Sequence, residues 1–315
     1  MIEMMLGVDD LAHVRFAVSP LQETSFSLWA VRDPGEFPLH LRWLRLIRDD
    51  FAALDTQVLG ALVSRRRWLP DFITPRPQAR MPDICEELET LRALAPARVA
   101  HDVQAAYSDE DLPPVLRADP IDLRERIADA LEAYWRVAIE PYWARMRAIL
   151  EADILHRAQR LAEGGAAALF GGLHPNVQWD SGVLRLHRMT APHRVDAGRG
   201  LTLCPTLFGR KATAPLGDVP RVAYPARGVA TLWETVAAPA PEALSALIGR
   251  AKAGVLAALD TPASTTMVAR RLGVTPSAVS QHLSTLLATG LVTRARVGRV
   301  VLYGRSDLGA RLMGG

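Results

Sequence analysis

The sequence predicts a mainly α-helical protein with minor β structure: a helical N-terminal domain with a few short strands, then a C-terminal winged helix-turn-helix. Three observations predict this. Apolar residues recur at helical spacing in segments spread over the first 170 positions. After Gly172 the pattern changes to short runs separated by turn residues. From Thr265 onward a short helix, a glycine turn, a second helix and two strands follow in close succession.

The elements follow in chain order. Val14 to Val18 reads as extended, and Ser19-Pro20 starts a helix running from Leu21 to Val31. Asp33-Pro34-Gly35 breaks it. Leu39 to Leu62 carries Trp43, Leu44, Ile47, Phe51 and Leu54 on one helical side. Leu69 to Pro82, rich in proline, is expected to be a loop. Asp83 to Leu94 is expected to be a helix with Ile84, Leu88 and Leu91 as its apolar stripe. From about Pro120 to Phe170, Ile127, Leu131, Trp135 and Ile139 recur at four-residue steps, with Asp122 as the expected cap. Pro141 should break or kink this stretch, and Gly164-Gly165 should interrupt its end. Val177–Trp179 and Val183–Leu186 flank Asp180-Ser181-Gly182, a hairpin signal. Leu201–Cys204 and Arg221–Tyr224 are further strand candidates. Proline-rich sequence near Ala237–Pro241 separates an N-terminal domain, 1–236, with its small β region near 177–225, from a second domain, 241–315.

Composition narrows the function classes. No charge-free apolar run reaches about 18 residues, so no transmembrane helix and no membrane partner are expected. The acidic start, MIEMMLGVDDLAH, does not read as a signal peptide. Two widely separated cysteines, Cys85 and Cys204, suit a reducing cytoplasm. Both are expected to be buried. Charge is unevenly spread. Nine basic against three acidic residues from Pro241 onward give that segment a net +6, while the remainder carries −3. A small basic domain beside a slightly acidic one suits a polyanion reader with a second function elsewhere.

Residues 265–303 carry the chemistry. Ser264 is an N-cap candidate for Thr265–Leu272. Gly273 ends that helix by taking the left-handed conformation. Thr275 caps the next helix, with Pro276 at its first position, where a missing N–H costs nothing. Val268 and Ala269 sit where the first helix must approach the second, and Leu272, Val274 and Val279 are expected to close their shared core. Helix 276–289 has Val279, Leu283, Leu286 and Leu287 on one stripe. Its opposite face carries Ser277, Gln281, Ser284 and Thr285, flanked by Ala278, Ser280 and His282. A solvated helix usually carries long charged side chains; short hydroxyls and an amide instead suit a helix that enters a major groove about 12 Å wide. The following residues, 291–303, read as a two-stranded wing. Arg294 and Arg296 alternate onto one of its faces, and Arg299 lies at its tip, suited to phosphates or a minor groove.

The stretches Ser277–Leu283, Gly290-Leu291-Val292 and Gly298-Arg299 leading to Tyr303 resemble the winged helix of the ArsR/SmtB-like regulators. The resemblance covers about a quarter of the chain. Val14-Arg15-Phe16 to Leu21, Pro70-Asp71-Phe72 and Tyr224–Gly228 with Leu232-Trp233-Glu234 resemble the uncharacterised domain that precedes such winged helices in some actinobacterial regulators. This implies a bacterial transcription regulator, a repressor or else an activator, working as a homodimer on double-stranded DNA. The chain departs from the metal-sensing members: Thr265–Leu272 holds no Cys or His, and neither does the tail after Tyr303. No metal and no cofactor are therefore expected. Dimer contacts are expected from helix 242–259 or from the first domain.

Other candidates for chemistry have bland explanations. His187 and His193, with Asp196 nearby, match no strong ligand spacing. Gly164-Gly165 and Gly171-Gly172 lack the Gly-Lys-Ser/Thr of a phosphate loop, and no Gly-x-Ser-x-Gly elbow occurs. No enzymatic activity is expected. Trp29, Trp43, Trp135, Trp143 and Trp179 are candidates either for core or for the lining of a pocket holding a small apolar effector. The rival expectations are a ligand-gated sensor, an enzyme-like N-terminal domain that uses the winged helix as a recruitment module, and an interaction scaffold.

Overall fold

The computed structural model describes the whole chain except residues 190–191, 197, 199, 216–219, 234–240, 260–261, 298–299 and 314–315; for 241–242, 297 and 300 it describes the backbone alone. The chain divides into two compact units, Met1–Trp233 and Glu234–Gly315.

Unit 1 opens with β1 (Ile2–Met5), α1 (Val8–Ala12) and β2 (Val14–Phe16). Seven helices follow: α2 (Pro20–Arg32), α3 (Leu41–Ala52), α4 (Thr56–Ala61), α5 (Ile84–Arg92), α6 (Pro96–Ala106), α7 (Pro120–Ala138) and α8 (Trp143–Gly171). Local chemistry sets their starts. Ser19 Oγ accepts from Gln22 N at 2.9 Å, with Pro20 in the first turn of α2. Asp83 forms a capping box on α5: it accepts from Cys85 N at 2.7 Å, while Glu86 accepts from Asp83 N.

Three sequence expectations need correction. The stretch 39–62 is two helices: the first ends at Ala52, and Asp55 caps the second, accepting from Val58 N at 3.1 Å. The cap of α7 is Asp119, which accepts from Ile121 N at 2.8 Å; Asp122 already lies inside the first turn. Cys85 is exposed, since it sits a quarter-turn from the stripe that buries Leu88 and Leu91. The expected breaks are present. A 3₁₀ turn at Glu140–Tyr142 separates α7 from α8. Gly164 and Gly165 leave helical geometry inside α8, Gly165 with φ +62°.

The β structure follows: β3 (Val177–Asp180), β4 (Val183–Leu186), β5 (His193–Val195), β6 (Leu201–Thr206) and β7 (Arg221–Pro225). The two N-terminal strands join them. One sheet has the order β3-β4-β1-β5, with Ile2 opposite both Leu186 and His193. The other, β2-β6-β7, is parallel. Every residue of β6 is buried, as expected for the middle strand of a covered parallel sheet. Pro205 is tolerated there because pairing with β2 ends at Leu203, so its missing N–H costs no ladder bond on that side. One apolar core lies among the helices, around Trp43, Leu131 and Tyr134; a second lies under the sheets, around Met4, Leu184 and Phe170.

Unit 2 consists of α9 (Pro241–Ile248), α10 (Arg250–Ala257), α11 (Thr265–Leu272), α12 (Pro276–Ala288), β8 (Val292–Val297), β9 (Val300–Arg305) and α13 (Asp307–Leu312). Its own core gathers Leu256, Val268, Ala269, Val279, Leu283 and Leu286.

Candidate nucleic-acid interface

The helix pair is set by its caps. Ser264 Oγ accepts from Met267 N at 3.3 Å to start α11. Gly273, at φ +67° and ψ +29°, ends it in the left-handed region, where a side chain would add strain. Val274 N then donates back to Ala269 O at 3.1 Å. Thr275 Oγ1 accepts from Ala278 N at 3.3 Å, and Pro276 opens α12. Only residues 273–275 lie between the two helices. Leu272 and Val274 do not close the core as expected: they remain 37 % and 48 % exposed at the turn, while Val279 is fully buried.

The faces of α12 separate cleanly. Val279, Leu283 and Leu286 are buried, whereas Ser277, Ser280, Gln281, Ser284 and Thr285 are exposed. Ala278 and His282 lie half-buried on the flank nearer the core. At 3.6 residues per turn, Ser277, Gln281, Ser284 and Thr285 share one ridge. Two of its hydroxyls are directed: Ser284 Oγ donates to Ser280 O at 3.0 Å, and Thr285 Oγ1 donates to Gln281 O at 3.2 Å. With their protons used on their own helix, these oxygens face outward as acceptors. Gln281 keeps both donor and acceptor.

After Gly290 the chain pairs β8 with β9 antiparallel. Arg294 stands opposite Tyr303 and Arg296 opposite Val301, so the two exposed arginines share one face of the hairpin. Arg299, expected at the tip, lies outside the described residues. The hairpin gains a third partner that sequence reasoning missed. Ala263 and Tyr303 exchange backbone hydrogen bonds, both 2.9 Å, and tie the hairpin to the segment before α11. No periodicity signals a one-residue bridge.

The basic excess of unit 2 is partly structural. Arg305 Nε donates to Leu256 O at 2.8 Å and its terminal nitrogen to Ala257 O at 2.7 Å; Arg271 donates to Ala258 O at 2.6 Å. Both guanidinium groups therefore satisfy carbonyls at the C-terminal end of α10, where the helix dipole favours cations. The tail also folds onto the unit. Ser306 Oγ caps α13, and Gly309 lies so near Leu291 that a Cβ would stand 2.0 Å from that carbonyl oxygen.

Elsewhere, His187 Nε2 meets Gln178 Oε1 at 3.0 Å and His193 sits in β5 opposite Ile2, so neither points to a shared ion. Among the described residues no three His, Cys, Asp or Glu side chains converge as a metal site, and no helix is long and apolar enough to cross a membrane.

Residues 251–295 match a helix-turn-helix domain family. The match begins in α10 and ends within β8, so unit 2 carries a helix-turn-helix. No curated protein and no solved structure matches the chain.

Proposed function

We propose that the chain is a sequence-specific, double-stranded-DNA-binding transcription regulator, a cytoplasmic repressor acting as a homodimer, and not an enzyme. The observation that carries this is the exposed ridge of α12, which holds short uncharged polar side chains and no long charged one, beside a hairpin face bearing Arg294 and Arg296. Such a ridge lets the helix backbone approach base edges. Gln281 has the geometry for a paired contact with adenine N6 and N7. Ser284 and Thr285 offer acceptors to the amino groups of adenine or cytosine. Ser277, Ala278 and Ser280, near the helix start, suit phosphate or the first base; His282 flanks them. The arginines of the wing supply affinity through phosphates, independent of sequence. The helix-turn-helix match supports the same role for this segment. Two copies would seat two α12 helices in successive major grooves about one helical turn apart. Leu247 on α9, 75 % exposed, is an apolar side chain available to a second copy.

Sequencing the DNA fragments that the purified protein retains at physiological salt tests the reading. On the selected site, Gln281→Ala should lose about 1–3 kcal/mol of discrimination at one base position. Arg294→Ala should weaken all sequences alike and reduce the salt slope by about one. Unchanged affinity in both variants, measured by gel shift, would remove DNA binding from this surface.

A further inference from the structure

Unit 1 holds a partly open cavity of about 810 Å³, within the range of pockets that hold small organic molecules. Its walls come from both apolar cores and include Ile2, Phe26, Trp29, Phe37, Trp68 and Leu69. Phe26 and Trp29 pack at 4.3 Å between ring centroids, and Trp29 Nε1 is held by Arg67 O at 2.9 Å, so this aromatic wall is fixed. The charges around it are one-sided. Among the described residues Arg66, Arg67, Arg188, Arg210, Lys211 and Arg221 line the cavity, against one carboxylate, Asp71.

Three of those cations are engaged by acids outside the cavity lining: Arg66 by Asp109, Arg67 by Asp33 at 2.6 Å and Arg210 by Glu36. Arg188 and Lys211 form no ion pair with a described carboxylate, whereas the buried Arg221 has the carboxylates of Asp71 and Glu87 near enough to favour its charge. Lys211 instead donates to the carbonyl of Arg188, and Arg221 donates to Pro75 O and Thr74 Oγ1, at 2.8 and 3.2 Å. Burial and the neighbouring Arg188 charge hold the Lys211 ammonium below its ordinary range. Like charges placed together without a counter-charge are costly, and an anion between them removes that cost. A second, independent observation points inward. Gln22, 1 % exposed, lines the cavity, and its Nε2 has no partner at hydrogen-bond distance among the described residues. A buried amide donor left unpaired costs about 1–3 kcal/mol, which a ligand acceptor would recover.

We infer that this cavity binds an organic anion: an aromatic or other apolar body against Phe26, Trp29 and Trp68, with a carboxylate, sulfonate or phosphate group held by Arg188 and Lys211. A purely apolar effector would leave those two cations uncompensated. The site stands on its own geometry; only an influence on transcription would rest on the DNA-binding proposal above.

Two probes with one ring system separate the contributions. 8-Anilinonaphthalene-1-sulfonate carries the anion, and N-phenyl-1-naphthylamine lacks it. By fluorescence titration and calorimetry on the full chain, the sulfonate should bind one site per chain at least ~10-fold more tightly than the amine. Combining Arg188→Gln with Lys211→Gln should cut sulfonate affinity at least ~10-fold and leave the amine unchanged, with the near-ultraviolet circular dichroism native. Ala214→Trp, which narrows the cavity from its wall, should weaken binding of both. Equal affinity for the two probes, an unaffected double variant, or binding of both unchanged by Ala214→Trp would overturn the assignment. So would inorganic sulfate binding as tightly as the aryl sulfonate, because the apolar wall would then contribute nothing. Gel shifts on the same variants report the DNA-binding surface separately.

Discussion

The two units put polar side chains to opposite uses. In unit 2 the core is apolar, and the polar groups of α12 stand outside in one row. In unit 1 polar and charged groups go inside: Glu23, Glu87, Asp153, Arg157 and Arg221 are all buried. There they tie together segments far apart in sequence. Glu23 accepts from Leu207 N at 2.9 Å, and Glu87 accepts from Leu21 N at 2.8 Å. His40 bridges further still: its Nε2–H donates to Leu207 O, and its Nδ1 accepts from Trp233 Nε1. Polar groups that specify long-range packing are lost to any partner. Those kept outside on a well-packed helix remain free to recognise one.

The largest expected effect probes the apolar side of this contrast. Gly309→Ala places a Cβ against the Leu291 carbonyl and should cost unit 2 about 3 kcal/mol. In urea denaturation the transition of unit 2 should shift while that of unit 1 stays in place; a shift in both would mean the units do not unfold separately.

A similar effect, dependent on pH, probes the buried polarity. Burial raises the Glu23 carboxyl from its ordinary 4.5 to about 7. Between those values the unfolded chain has released a proton that the folded chain keeps. The contribution of this group is thus fully present below pH 4.5 and declines by about 1.4 kcal/mol per unit until about pH 7. Glu23→Gln does not titrate, so its stability relative to wild type should improve by roughly 3 kcal/mol from pH 4.5 to 8. A gap that stays constant across that range, measured by urea midpoints, would show that Glu23 is ionised in the fold. His40 acts with the opposite sign. Burial lowers it to about 4, so its contribution is lost as pH falls from 6.5.

The smallest effect touches the boundary between the two uses. Thr275→Ala removes the hydroxyl that caps α12 and should cost about 1 kcal/mol of unit 2 stability. Because Thr275 is exposed and the apolar core is untouched, thermal melts should stay cooperative; a loss much above this would indicate a role beyond the cap.

Features that neighbouring residues control are legible along the chain. Ser264, Gly273, Thr275 and Pro276 lie within a few positions of the backbone groups they control, so the helix pair and its exposed ridge could be read directly. The same holds for Ser19 at α2, for the break at Pro141 and for the β3–β4 hairpin. Features that depend on distant partners emerge only once the chain has folded. The pairing of β1 with strands some 180 residues away is one such case. Others are the capping of α10 by Arg271 and Arg305, the exposure of Leu272 and Val274, and the gathering of Arg188, Lys211 and Arg221 around one cavity. The physical reason is range. A cap or a glycine acts over one turn of chain, whereas a cavity and its charges exist only once folding has brought remote segments within a few ångströms.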